Sequence, residues 1–218
     1  GDDAGAEGIA KWAHALCIGP GLGLTNASRN AMERMLANSE CPVVLDADAL
    51  TLAARQLDSI RALLGGRPCI LTPHVAECSR LTEESPERVE QERFDIGLSL
   101  ARSLGSVVLL KGVPTVISAP DGRVAVSATG NPALATAGSG DVLSGIIATL
   151  LAQTGDPFLS ASAGAWVHGR AAERVALRRG VRGATLDDVL AELADVWHEP
   201  VPVPEPPVLA RLPRVSTA

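Results

Sequence analysis

The stretch Thr129–Leu151, TGNPALATAGSGDVLSGIIATLL, decides how the rest of the chain is read. It begins as a run of small residues and ends as a helix. The run closes on Gly138-Ser139-Gly140-Asp141, and Val142, Leu143, Ile146, Ile147, Leu150 and Leu151 then recur at helical spacing. A backbone without bulky side chains lets a ligand approach closely. A helix starting there aims its free N–H groups and the positive end of its dipole at whatever lies over the glycines, which makes an anion site. Asp141 stands at the mouth of that site. Two readings of it are open: a carboxylate that takes a proton from a hydroxyl, or an N-capping Asp after a flexible turn.

Outward from this segment, apolar runs alternate with helical patterns, the arrangement of a parallel sheet with helices on its faces. Strands are expected at Ala15–Ile18, Val43–Asp46, Cys69–Thr72 and Ser106–Lys111. Helices are expected over 26–37, with Thr25 or Asn26 as cap, over 49–64 in one or two pieces, and over 86–104, where Ser85-Pro86 puts proline in the tolerant first turn. Thr115–Ser118 and Arg123–Ser127 flank Asp121-Gly122, a hairpin signal, so an antiparallel ribbon joins the parallel sheet. Further helices follow at 140–153, 158–179 and 185–197, the last opened by a Thr185-x-x-Asp188 capping box.

The 218 residues suit one α/β domain over 1–198, followed by a Pro-rich tail at 199–218 expected to be extended or disordered. Aromatic residues make up 2% of the chain and tyrosine is absent, so the core must be built from Leu, Val, Ile and Ala. The net charge of −6, with no basic block, argues against a nucleic-acid surface. No apolar run reaches the roughly 18 residues of a membrane span, and the N-terminus has no signal-peptide pattern. Cys17, Cys41, Cys69 and Cys78 form no C-x-x-C pair and read as buried free thiols, a usage that suits the reducing cytoplasm. A sheet with open edges points to a homo-oligomer.

Several residues fall where chemistry is done in open parallel sheets, just past the carboxyl ends of strands. Gly19, Gly21 and Gly23 form a strand-to-helix loop that reads as a phosphate loop or a tight turn, and not as the dinucleotide-binding glycine pattern. Asp46 and Asp48 could orient a hydroxyl or a hydrated Mg²⁺, and Asp48 also suits helix capping. His74 follows Thr72-Pro73, so its turn is restrained, and Glu77 reads as a cap or a metal-positioning group. Lys111 ends an apolar strand, placed either to meet a phosphate or to snorkel at the rim. Asn131 precedes Pro132 and suits a turn or a substrate amide. His168 lies in an Ala-rich helical pattern and reads as a packed or capping histidine between helices.

Residues 130–153, GNPALATAGSGDVLSGIIATLLAQ, closely resemble the GNPGLATGGTGDVLAGIIAGLLAQ pattern of the nucleotide-dependent NAD(P)H-hydrate dehydratases, which belong to the ribokinase-like superfamily. Further matches follow the same order along the chain: 18–23 (IGPGLG), 43–50 (VVLDADAL), 71–77 (LTPHVAE), 108–117 (VLLKGVPTVI) and His168-Gly169. The chain departs from the pattern at Val75-Ala76, Pro114, Ala137 and Ser139, and at Thr51, where Asn is frequent. Family members begin with a strand, a Gly-rich loop and a helix upstream of the segment matching residue 18, whereas only Gly1–His14 precede it here, so the first βα units are expected to be absent.

The resemblance implies a ribokinase-like three-layer sandwich with a mostly parallel sheet, helices on both faces and a β-hairpin. It implies ADP- or ATP-dependent dehydration of the S epimer of NAD(P)H hydrate, through phosphoryl activation of the ring hydroxyl and elimination of phosphate, with Mg²⁺ offsetting phosphate charge. Asp141 falls to the catalytic base, and Gly21, Gly23, His74, Asn131 and Asp141 to the substrate. Lys111, Gly112, Val113, Pro114, Thr115, Gly138, Ser139 and Gly140 fall to the adenine nucleotide. Two other readings stay open: a small-molecule kinase of the same superfamily, and a nucleotide-binding domain without turnover.

Overall fold

A computed structural model describes residues 12–198. The tail expected at 199–218 lies outside the described residues. Strands β1 (Leu16–Ile18), β2 (Val43–Leu45), β3 (Cys69–Leu71) and β4 (Val107–Leu110) are parallel and adjacent in chain order. Strands β5 (Thr115–Ser118) and β6 (Val124–Ser127) extend the sheet antiparallel, as the hairpin signal predicts.

Each parallel crossover steps one strand the same way. Crossovers of one hand must then place their helices on one face. That face holds α1 (Asn26–Ala37), α2 (Ala47–Ala53), α3 (Leu57–Leu64), α4 (Val75–Thr82), α5 (Pro86–Gln91) and α6 (Arg93–Leu104). Leu16, Ile18, Leu45, Leu71 and Leu110 of the sheet pack there with Met32, Leu36, Leu50 and Leu100. The other face is covered only after β6, when α7 (Ser139–Thr154) and α8 (Pro157–Arg179) lay Leu143, Ile147, Leu151, Ala161 and Ala165 on Val44, Ile70, Leu109 and Ile117. Helix α9 (Leu186–Val196) packs outside α8 through Val189 and Val196. The result is the expected three layers. Both faces of β2 to β4 are buried, which is why those strands read as continuous apolar runs. Without aromatic bulk, α7 and α8 approach closely: a Cβ on Gly164 would lie 2.6 Å from Ile147 Cγ1.

The differences from expectation are local. The helix expected over 49–64 breaks between α2 and α3, and the one expected over 86–104 breaks at Glu92. Helix α4, from Val75 to Thr82, is not among the expected helices. It is started by a capping box between His74 and Glu77 and stopped by Glu83 in the left-handed region (φ 59°). Cys69 and Cys78 are buried and Cys41 is partly so, but Cys17 is exposed, because β1 is the edge strand and the α7 face does not fully cover it. All four thiols are free. Among the described residues no helix is long and apolar enough to cross a membrane.

Candidate active site

The site forms where β1, β2, β3 and β4 end and α7 begins. Asp46 follows β2 and is 1% exposed. Its N–H bonds to Ile18 O at 3.0 Å, and its Oδ1 accepts the Ala47 N–H at 2.9 Å, so Asp46, not Asp48, caps α2. Ala47 is held at φ 49°, a rare conformation for a residue with a side chain, and the turn that results keeps the Asp46 carboxylate inside the strand ends. Gly19 packs on this turn so tightly that a Cβ would sit 1.7 Å from Asp46 O, and at φ 131° only glycine serves. Asp48 instead accepts the N–H of Gly23 at 2.7 Å, tying the glycine loop to the end of β2.

Lys111 comes directly after β4, and its N–H donates to Pro73 O at 2.8 Å. Its Nζ donates to Asp46 Oδ1 at 2.8 Å and lies 3.8 Å from Glu77 Oε2. Lys111 therefore turns inward and is not a snorkelling rim lysine. Burial pushes the Glu77 carboxyl above its ordinary pKa. The His74 N–H, which donates to Oε2 at 2.8 Å, and the charge of Lys111 pull the other way, while Asp46 adds to the rise. His74 Nδ1 accepts the N–H groups of Ala76 and Glu77 at 3.1 and 3.3 Å, and its Nε2 lies 3.4 Å from Glu77 Oε1 on a half-exposed ring.

Helix α7 arrives over this cluster. A Cβ built on Gly140 would lie 3.4 Å from Lys111 Nζ and 3.9 Å from Asp46 Oδ2. The helix opens on Gly138 in the left-handed region (φ 83°), and no side chain caps it. Ser139 N–H is taken by Thr136 O at 3.2 Å, and the first helical bond runs from Val142 N–H to Gly138 O at 3.1 Å. Among the described residues the N–H groups of Gly140 and Asp141 meet no acceptor. Asp141 sits in the first turn, exposed, and does not cap the helix. Desolvation raises the Cys17 thiol at β1, a hydrogen bond with Ser144 opposes the rise, and the charges of Asp46 and Asp141 add to it.

The structure thus joins Asp46, His74, Glu77, Lys111 and Gly140. Asp141 lies one residue further along the first turn of α7. Gly21 and Asn131 take no part in these contacts: Gly21 is exposed at φ 67°, and Asn131 Oδ1 accepts the Ala133 N–H at 2.9 Å, capping a short 3₁₀ turn at Pro132–Leu134. The Gly112–Thr115 loop extends outward from Lys111, with Val113 almost fully exposed and Thr115 Oγ1 donating to Gly112 O at 3.1 Å. Sequence reasoning missed the residue that holds this loop. Arg93 is buried, donates from Nη1 to Pro114 O at 2.6 Å, and would meet a Cβ on Gly112 at 2.6 Å. The signal was a charge on the apolar stripe Arg93, Ile96, Leu100, Leu104 of α6.

The site therefore brings one inward lysine and two buried carboxylates to an uncapped helix terminus. The family model for NAD(P)H-hydrate dehydratase matches residues 2–194. The chain belongs to this family. A bifunctional NAD(P)H-hydrate repair enzyme of Moorella thermoacetica is 43% identical over 176 residues, 80% of this chain and 33% of the relative. An ADP-dependent (S)-NAD(P)H-hydrate dehydratase of Neisseria meningitidis is 38% identical over 182 residues, 83% of this chain and 62% of the relative. Among solved structures, the ADP/ATP-dependent NAD(P)H-hydrate dehydratase of Bacillus subtilis, co-crystallised with ATP and Mg²⁺ and soaked with coenzyme A, superposes with a TM-score of 0.73 at 31% identity, covering 85% of this chain and 66% of that one. A ribokinase-like superfamily protein of Enterococcus faecalis gives 0.72 at 26% identity, covering 89% and 66%. The fold is ribokinase-like. The chain spans about a third of the bifunctional relative and under two thirds of the dehydratase relative.

Proposed function

We propose that this chain carries out the nucleotide-dependent dehydration of the S epimer of NAD(P)H hydrate, acting on its own or as part of a longer protein, with residues 1–198 as one unit. The observation that carries the reading is the convergence of Lys111, Asp46 and Glu77 on the uncapped first turn of α7. A terminal phosphate seated there meets the Gly140 and Asp141 N–H groups, the helix dipole and the Lys111 ammonium. The Lys111–Thr115 loop, held by Arg93, presents the exposed Val113 to the rest of the adenine nucleotide.

Asp141, exposed at the mouth of the site, takes the proton of the ring hydroxyl. That oxygen attacks the terminal phosphorus, and the bridging P–O bond of ADP or ATP breaks. Phosphate then leaves from the ring carbon while a neighbouring ring C–H loses its proton, and the double bond of NAD(P)H is restored. The route makes sense because hydroxide is a poor leaving group and phosphate a good one. The substrate lies over the Gly21 and Gly23 loop, the half-exposed ring of His74 and the segment around Asn131.

Asp46 and Glu77 fit Mg²⁺, which is bound through one or two carboxylates with water and phosphate completing its shell. Among the described residues no group of three or more His, Cys, Asp or Glu forms an all-protein cage. Bound there, Mg²⁺ would neutralise charge on the transferring phosphoryl group. The four free thiols support a reducing, cytoplasmic setting, and the position of β1 at the sheet edge among the described residues supports self-association.

The test is the near-ultraviolet absorbance of reduced nicotinamide on mixing the protein with NADPH hydrate, Mg²⁺ and either ADP or ATP. A nucleotide-dependent rise is expected, and the nucleotide that produces it is the donor. No rise with either nucleotide refutes the reading. A stable phosphorylated product would show a kinase instead.

A further inference from the structure

Among the buried titratable side chains that the proposed reaction does not use is one imidazole. His168, on α8, is 5% exposed, and its Nε2 lies 3.3 Å from the Oγ of Ser139, itself 4% exposed. Burial pushes the imidazole pKa down to about 4, so the ring is neutral and offers one N–H and one lone pair.

Ser139 is the first residue of α7. Most helices here are fixed at their start by a side chain that accepts a first-turn N–H: Thr25 for α1, Asp46 for α2, His74 for α4, Ser85 for α5, Asp156 for α8 and Thr185 for α9. Such a cap on α7 would compete with a phosphate for the Gly140 and Asp141 N–H groups. Gly138 provides none, and an uncapped turn frays. The Ser139–His168 pair fixes the same turn from behind. The hydroxyl is drawn toward α8, into the interior, and the N–H groups stay outward.

The next turn of α8 grips the rest of the segment leading to α7. Thr129 Oγ1 donates to Trp166 O at 3.0 Å, and Gly130 N–H donates to Glu173 Oε1 at 3.0 Å. A Cβ on Gly169 would lie 2.4 Å from Thr129 Oγ1, so helix and loop are in direct contact. From Trp166 to Glu173, α8 is a backplate for both ends of the 129–139 segment.

We propose that His168 is a positioning residue: its hydrogen bond to Ser139 holds the first turn of α7 against α8, in place of an N-cap, so that the Gly140 and Asp141 N–H groups stay free and aimed at the nucleotide phosphate. This rests on the reading of the α7 terminus as the phosphate site.

The experiment is calorimetric titration of ADP with Mg²⁺ into the wild type, S139A, H168A, H168Q and the S139A/H168A double variant, beside their melting temperatures and the hydrogen exchange of the first turn of α7. S139A and H168A should each weaken ADP binding about fivefold, the worth of one hydrogen bond. The double variant should be no weaker than either single one, because both remove the same bond. H168Q, which keeps a donor and an acceptor, should recover most of the affinity, and exchange in the first turn should speed up in both single variants. S139A binding ADP like the wild type, or losses that add in the double variant, would overturn the inference. So would a lower melting temperature with unchanged affinity, the mark of a merely structural pair. A wild type that binds neither ADP nor ATP would overturn the phosphate-site reading and this inference with it, whereas a wild type that binds while the variants are unaffected overturns only the role of His168.

Discussion

Helices α7 and α9 begin in opposite ways. At α9, Thr185 Oγ1 accepts the Asp188 N–H and Asp188 Oδ2 accepts the Thr185 N–H, closing a capping box that takes up the Asp188 donor. At α7 the cap position is a glycine in the left-handed region, and the first turn points uncapped at a lysine and two buried carboxylates. One end is finished for stability, the other left open for a ligand. Capping and binding compete for the same N–H groups, so a terminus left uncapped inside a charged cluster marks the place where the fold gives up stability for chemistry.

The largest expected effect falls on Asp141. D141N should lower turnover about 100- to 10,000-fold, the usual range for a general base, while ADP affinity in calorimetry stays near that of the wild type. An unchanged rate would return Asp141 to a surface role and leave the open terminus without its chemistry.

Lys111 comes next. K111A strands the buried Asp46 carboxylate, and breaking a buried pair costs about 3–5 kcal/mol. Denaturant unfolding should show a loss near the lower end, since Lys111 is partly exposed. ADP affinity should fall as well. K111A/D46N should regain much of the stability and none of the affinity. Recovery of both would mean that the lysine serves only the fold.

His168 makes stability depend on pH. Above about pH 6.5 neither the folded nor the unfolded chain protonates it. As pH falls, the unfolded imidazole takes a proton that the buried ring refuses until about 4. Stability should therefore drop between these values, by on the order of 3 kcal/mol for this shift. Glu77, with its raised pKa, acts in the opposite sense. H168Q isolates the histidine part, because the drop should shrink in that variant; an equal drop would contradict it.

The smallest effect is the sharpest. Gly140 and Gly145 lie in the same helix at ordinary helical φ. A methyl group at 145 meets nothing, whereas at 140 it stands beside Lys111 Nζ and Asp46 Oδ2. Both alanine variants should raise stability by about 0.5–1 kcal/mol, but only G140A should weaken ADP binding. Equal affinities would move the phosphate away from this terminus.

Much of the fold was legible because it is written in local patterns. The apolar runs became β1 to β4, the Asp121-Gly122 turn became the β5–β6 hairpin, and the Thr185–Asp188 box opened α9 where its spacing said. The site was legible as separate residues, not as an arrangement. Lys111 and Asp46 are 65 positions apart, and nothing local marks them as partners. Asp48 read as the cap because it sits next to a helical run; tertiary packing at Gly19 gave that task to Asp46 and left Asp48 to hold Gly23. Arg93 was not singled out, because a single charge on an apolar stripe shows its partner only once the 112–114 loop is folded against it. Helix α4 was obscured because it is only eight residues long and is opened by a histidine, in a reciprocal contact with Glu77, where Ser, Thr, Asp or Asn is the usual cap signal.

The most direct test of the open terminus is the backbone amide spectrum of the protein as ADP is added with Mg²⁺. The amides of Gly140 and Asp141 should shift strongly and saturably, together with Lys111 and Gly112, while those of Leu186, Asp187 and Asp188 at the capped start of α9 stay still. Saturable shifts elsewhere, with Gly140 and Asp141 unmoved, would contradict the account.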